Sequence, residues 1–262
     1  MAELVGVEFR TSKRVAGLEL MLGRSVSYAW REVTKDYEIA RVARGGAAWA
    51  VGSRRYQARE NSVLVIPPGE VHFAIGDPPA SDFAALLIPR SLVEELCPEG
   101  VPMRPRDNQL DEPATSAAVA DLHASVEADD DTMWIETALA DVLARVRSDA
   151  PRTPSGVPRR VADLRRVLEE SFGERLSLTD LAGAAGLTRV QTVRAFTRAY
   201  GVTPFAYLTA VRVANARKRL AEGEDVTRAA YASGFSDPSH LHRWFRRGYQ
   251  TAPGAYARAV KR

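Results

Sequence analysis

A single cysteine, Cys97, occurs among 262 residues, so no internal disulfide can form. Nowhere does the chain sustain the roughly 18 apolar residues that a membrane span requires. Its start shows no basic-then-apolar leader, so a cytoplasmic protein with no membrane partner is the expectation. Histidine is scarce as well, with four in all: His72, His123, His240 and His242. Metal-dependent β-barrel enzymes gather two or three histidines and a carboxylate in one place. Here only His72 falls among strand-like segments, because His123 lies in a helical segment and the other two stand far down the chain. That scarcity argues against an enzyme and against any metal or other cofactor.

What is present is unevenly distributed. Residues 159–262 carry 19 Lys+Arg against 9 Asp+Glu, a net +10, while residues 1–158 carry 17 against 24, a net −7. A basic C-terminal half behind an acidic N-terminal one assigns contact with a polyanion to the former. Between them "SDAPRTPSGVP" has the proline, serine and glycine of a linker. The domains read as 1–148, a linker at 149–158, and 159–262.

The N-terminal half contains short runs separated by glycine turns: "SVSYAW", "YEIARVAR", "AAWAV", "RRYQA", "SVLVIP", "VHFAIG" and "DFAALLI". Such a series predicts a β-sandwich or barrel. Two helices follow, from about residue 113, with Ala118, Leu122 and Val126 on one face and Ile135, Leu139 and Leu143 on another. They either cover the barrel or pair between subunits, and the second stripe, just before the linker, suits a two-fold interface of a homodimer.

The C-terminal half repeats itself. "GLTRVQTVRAFTRAYGVTPFAYL" aligns with "GFSDPSHLHRWFRRGYQTAPGAYA", matching Gly186 to Gly234, Arg194 to Arg243, Phe196 to Phe245, Arg198 to Arg247 and Tyr207 to Tyr256. In each copy a capped helix ends at a glycine and a second helix begins behind a new cap: Ser177 with Asp180, then Thr188; Asp225, then Ser236 or Asp237 followed by Pro238. Helix, turn, helix is the arrangement whose second helix enters a DNA major groove. His240 and His242, two apart on a helix, point to different faces and are poorly placed to share a metal. Leu241, Trp244, Phe245 and Tyr249 form the apolar face, leaving Ser239, Arg243 and Arg247 on the polar one. Val190, Arg194 and Arg198 recur on the matching helix, where arginine suits guanine O6 and N7.

These residues carry a resemblance. "SLTDLAGAAGL", "RAFTRAYGVTPFAYL", "VRVANARKRL", "AAYASGFSDPSHLHRWFRR" and "APGAY" are similar to the DNA-binding domain of the AraC/XylS transcription regulators, over nearly the whole C-terminal domain. The resemblance implies two helix-turn-helix units, about 178–200 and 226–249, joined by a long helix. It implies base reading by Val190, Val193 and Arg194 in the first unit and by Ser239, His240, His242 and Arg243 in the second, with Arg198 and Arg247 in further DNA contact. Thr192 departs from the family pattern, standing where such helices more often bury a leucine. A connector over 204–221 has 18 residues, about 27 Å of helix, comparable to the ~34 Å between successive major grooves on one DNA face.

Through "SVLVIPPGEVH" the N-terminal half resembles, less specifically, the cupin-like sensor domain of the same regulators. The implied protein is a two-domain α+β regulator: a cupin-like barrel with two following helices, then an all-α domain. Its partners are double-stranded DNA, a small-molecule effector, a second copy of itself and, as a further candidate, RNA polymerase. Tyr28, Trp30, Arg31, Tyr37, Trp49, Tyr56 and His72 form the candidate effector set, against the plainer reading that the aromatics fill a small barrel and His72 is a hydrogen-bonded structural histidine. Two alternatives stand beside this: a barrel that only dimerises or holds a partner, and a cupin-type enzyme fused to a DNA-binding module.

Overall fold

The computed structural model describes residues 6–27, 31–97, 105–147 and 157–260. Nine strands come first: β1 (Gly6–Thr11), β2 (Glu19–Val26), β3 (Arg31–Val33), β4 (Tyr37–Arg44), β5 (Ala47–Val51), β6 (Arg54–Ala58), β7 (Val63–Ile66), β8 (Val71–Ala74) and β9 (Ser81–Ile88). Helix α1 (Arg90–Leu96), the short β10 (Gln109–Leu110), α2 (Pro113–Ala128) and α3 (Thr132–Val146) complete the first half. The second half is helical: α4 (Arg159–Glu170), α5 (Leu178–Ala185), α6 (Arg189–Tyr200), α7 (Pro204–Ala221), α8 (Val226–Ala232), α9 (Pro238–Tyr249) and α10 (Pro253–Val260). Most of the linker expected at 149–158 lies outside the described residues.

Two antiparallel sheets enclose the barrel, one in the order β1-β2-β9-β4-β7-β10 and the other β3-β8-β5-β6. Alternation along the strands gives the larger sheet two buried faces. Leu20, Leu22, Tyr37, Ile39, Val63, Val65, Leu86 and Ile88 pack outward against α2 and α3. Met21, Ala40, Val42, Leu64, Ile66 and Ala85 turn inward toward Trp49 and Val51 of the smaller sheet. Burial on both faces also explains why β2 begins at Glu19 rather than near Ser25: its first five residues are all buried, so no alternation marks its start.

This packing takes the first of the two readings of the α3 stripe, the covering of the barrel. Ile135, Leu139 and Leu143 are fully buried inside the chain, in one cluster with α2 and the outer face of the large sheet. The stripe is consumed by covering the barrel and offers nothing to a second subunit.

The two halves share a core. The outer face of the small sheet, through Val33, Val71 and Phe73, packs on α4, α6 and α7. Phe9 of β1 meets the rings of Tyr249 and Tyr256 edge-on, with centroids 5.9 and 5.0 Å apart. At the centre of the seam Arg217 of α7 is buried and its Nη1 donates to Glu19 of β2 at 2.8 Å.

Candidate nucleic-acid interface and interdomain pocket

Local chemistry sets each recognition helix in place. Ser177 and Asp180 form a reciprocal capping box on α5, and Thr188 and Gln191 form another on α6. Asp225 accepts from the backbone of Thr227 and Arg228 to start α8, while Asp237, of the two candidates, caps α9 by accepting from the His240 N–H. Gly234, between α8 and α9, has φ +82°, and a Cβ there would sit 2.6 Å from the Phe172 carbonyl oxygen. Both conformation and space therefore require glycine at that turn.

Helix α6 buries Thr192, Phe196 and Tyr200. Thr192 serves in place of a larger apolar residue because its hydroxyl donates to the Thr188 carbonyl at 2.9 Å, leaving no unsatisfied polar atom. That rotation exposes Val190, at 60%, together with Arg194 and Arg198. Val193 is half-buried, so it sits at the rim of the outward face rather than at its centre.

Helix α9 buries Leu241, Phe245, Gly248 and Tyr249 and exposes Ser239, His242, Arg243, Arg246 and Arg247. His240, expected among the base readers, is tied down within the chain. Its Nε2 accepts from the Trp244 Nε1–H at 2.9 Å and its Nδ1 lies 3.3 Å from the Ser236 hydroxyl. With both ring nitrogens engaged it has no free edge for a base, and it acts as a brace between the turn and the helix. Among the described residues, no carboxylate pairs with Arg194, Arg198, Arg243 or Arg246. Exposed, unpaired guanidiniums of this kind are donors for phosphate or guanine.

Arg247 also faces the other half of the chain. Its guanidinium lies over the Trp244 ring, 5.4 Å from the centroid, and lines a pocket of about 320 Å³ between the two halves. Across that pocket Arg31 of β3 lies 5.5 Å over the Phe73 ring. Burial, and then the charge of Arg247, lower the pKa of Arg31. Val33, Phe205, Val213 and Trp244 supply apolar wall. Two cations on aromatic floors beside an apolar wall can hold a carboxylate with a hydrocarbon body. Of this site the sequence pointed only to Arg31, because its helical residues come from segments more than 170 positions away, with no local pattern to connect them.

The remaining effector candidates disperse. Tyr28 and Trp30 lie outside the described residues. Tyr37 packs toward α2 and α3, on the face of the sheet away from the barrel interior. Trp49 and Tyr56 stack at 4.9 Å, with the Trp49 Nε1–H donating to Gln109 and the Tyr56 hydroxyl to Asp107. A small void of about 70 Å³ lies inside the barrel, lined by His72 with Glu32 and Glu38. His72 Nε2 lies 3.5 Å from Glu38 Oε2, while its Nδ1 has no hydrogen-bond partner among the described residues. The ring does not stand alone: one ligand atom from each of Glu32, Glu38 and His72 lies within 4.8 Å of the others. Counting histidines along the sequence could not reveal two carboxylates arriving from different strands.

Known proteins match both halves. An AraC-like ligand binding domain model matches residues 23–145 and a helix-turn-helix domain model matches residues 181–259. The HTH-type transcriptional activator RhaS of Pectobacterium carotovorum is 31% identical over 121 residues, 45% of this chain and 43% of that protein. The uncharacterized HTH-type regulator YbfI of Bacillus subtilis is 38% identical over 74 residues, 28% of this chain and 27% of its own. The matched segment thus spans less than half the length of these relatives. An apo variant of ToxT from Vibrio cholerae shares the fold across 94% of this chain and 99% of its own, with a TM-score of 0.57 at 15% identity. Both models match in order, over the sheet domain and over the helix-turn-helix repeat, so the chain joins an AraC-like ligand binding domain to a helix-turn-helix domain.

Proposed function

We propose that the protein binds specific DNA sequences through α6 and α9 and regulates transcription, under the control of a small carboxylate held between its two halves. The observation that carries the DNA reading is the pair of buried, glycine-turned repeats, each presenting exposed arginines without carboxylate partners on its second helix. The 18-residue α7 is about 27 Å long, comparable to the ~34 Å between successive major grooves on one DNA face.

For the effector, volume decides between the two cavities. Small-molecule sites usually measure roughly 300–1,000 Å³. The interdomain pocket, at about 320 Å³, falls in that range and the 70 Å³ barrel void does not. ToxT has been crystallised with an unsaturated fatty acid and with a naphthalenyl-butenoic acid. Those ligands have the chemistry that Arg31, Arg247 and the surrounding apolar wall favour here. A ligand spanning β3 and α9 touches the sensing sheet and the second DNA-reading helix at once, so effector and DNA affinities are coupled in both directions.

Binding-site selection from randomised duplexes tests the DNA reading. Arg243→Ala is expected to cost about 1–3 kcal/mol and to relax preference at one base position. Arg247→Ala is expected to keep the native motif. If the native protein enriches no sequence, or Arg243→Ala leaves the motif and affinity unchanged, the reading fails. A second prediction addresses the effector. In a panel of carboxylates of increasing chain length, some member is expected to raise the thermal midpoint and shift DNA affinity. Arg31→Ala and Arg247→Ala are expected to abolish both responses; responses that survive both substitutions would remove the pocket from the effector's path.

A further inference from the structure

We propose that Glu32, Glu38 and His72 form a binding site for one divalent first-row transition cation inside the barrel. The three side chains are 7%, 4% and 3% exposed and come from both sheets. Glu32 and His72 are direct partners across β3 and β8. Their chain neighbours Val33 and Val71 point the other way, into the interdomain core. Glu38 reaches them from β4 of the opposite sheet, its Oε2 lying 3.5 Å from His72 Nε2. Strand parity thus turns all three inward to one point.

What they meet there is an excess of acceptors. Glu38 Oε2 and His72 Nδ1 are buried and have no hydrogen-bond partner among the described residues. The nearby cation Arg217 is committed to Glu19 and Asp36, at 2.8 and 3.8 Å. Two ionised carboxylates in an apolar barrel repel each other unless a proton or a cation lies between them. A divalent cation removes that repulsion and occupies the unpartnered atoms. Protein ligands bind such ions at about 2.0–2.2 Å, and the three ligand atoms, all within 4.8 Å of one another, need only side-chain movements of roughly an ångström or less to meet one ion. One imidazole with two carboxylates and no thiolate selects zinc, iron, manganese or cobalt over calcium or magnesium. Three protein ligands leave coordination positions open toward the void of about 70 Å³. Glu32 also lines the interdomain pocket, which places the ion one side chain from the effector.

The test titrates chelator-stripped, full-length protein with Co(II), read by visible absorption and by thermal midpoint. One equivalent is expected to develop a d–d spectrum and raise the midpoint. His72→Gln and Glu38→Gln are expected to weaken binding by more than roughly tenfold. Glu95→Gln, at an exposed carboxylate outside the barrel, is expected to leave the Co(II) spectrum and the midpoint shift unchanged. X-ray absorption on the zinc-loaded native protein is expected to show a single imidazole among oxygen ligands, a result that does not depend on any variant folding. No spectrum and no shift in the native protein overturn the proposal; so does a bound metal with two imidazoles, or one lost only in Glu95→Gln.

Discussion

Arg217→Met is expected to lower the unfolding free energy of the full-length protein by about 3–5 kcal/mol, because it strands a buried carboxylate. Arg217 and Glu19 are both buried at the seam between the halves, with Nη1 and the carboxylate 2.8 Å apart. Asp36 stands 3.8 Å from the guanidinium, whose flat face lies over the Tyr249 ring at 5.7 Å. Burial raises the Glu19 carboxyl above its usual value even with Arg217 opposing. Burial also works to lower Arg217, but the carboxylates of Glu19 and Asp36 oppose it and the guanidinium is held raised. The cost of the single change is thus mainly that of the partner left behind. The double variant Glu19→Gln/Arg217→Met is expected to recover most of the loss, since exchanging a whole buried ion pair for neutral groups of similar size is often close to neutral. Urea unfolding of the three proteins measures this, and a single-variant loss below about 1 kcal/mol would mean that the pair behaves like an exposed one. Because the pair joins the sheet domain to the helix that connects both DNA-reading units, its removal is also expected to weaken any effect of a carboxylate on DNA affinity.

Leu139→Asp should prevent folding of the first half rather than yield a folded monomer. Leu139 is fully buried between α2 and the outer face of the large sheet, with Ile135, Leu143, Leu122 and Val65 in the same cluster. Replacing it removes a core side chain, worth about 2–5 kcal/mol, and leaves a carboxylate among apolar groups without a partner. Together these rival the whole stability of an ordinary domain, about 5–15 kcal/mol. Circular dichroism with sedimentation separates the two outcomes. A native-like spectrum accompanied only by a change in oligomeric state would restore α3 as a subunit interface.

Legibility followed the range of the interactions. Strands β4, β5 and β6 have the boundaries that their apolar runs and flanking glycines predict. The connector runs from Pro204 to Ala221 as expected, because Thr203 and proline define its start locally. Strand β1 and the two-residue β10 left no clear pattern; they exist because β2 and β7 present edges for them to pair with. At the candidate sites, Arg194, Arg198, Ser239, His242 and Arg243 could be placed from helical spacing against a buried stripe. His240 could not, since its loss as a reader depends on a bond to Trp244 and a contact with Ser236.

The sequence by itself determined the repeated helix-turn-helix units, their caps and glycine turns, the basic character of that half and the β nature of the other. Each of these rests on residues within a few positions of one another or on charge summed along the chain. Tertiary structure alone decided that Leu139 covers the barrel, that Arg247 faces Arg31 across a pocket and that Glu38 meets Glu32 and His72. The reason is physical: a strand or helix pattern states which residues share a face, but a face acquires its chemistry from whatever the fold lays against it.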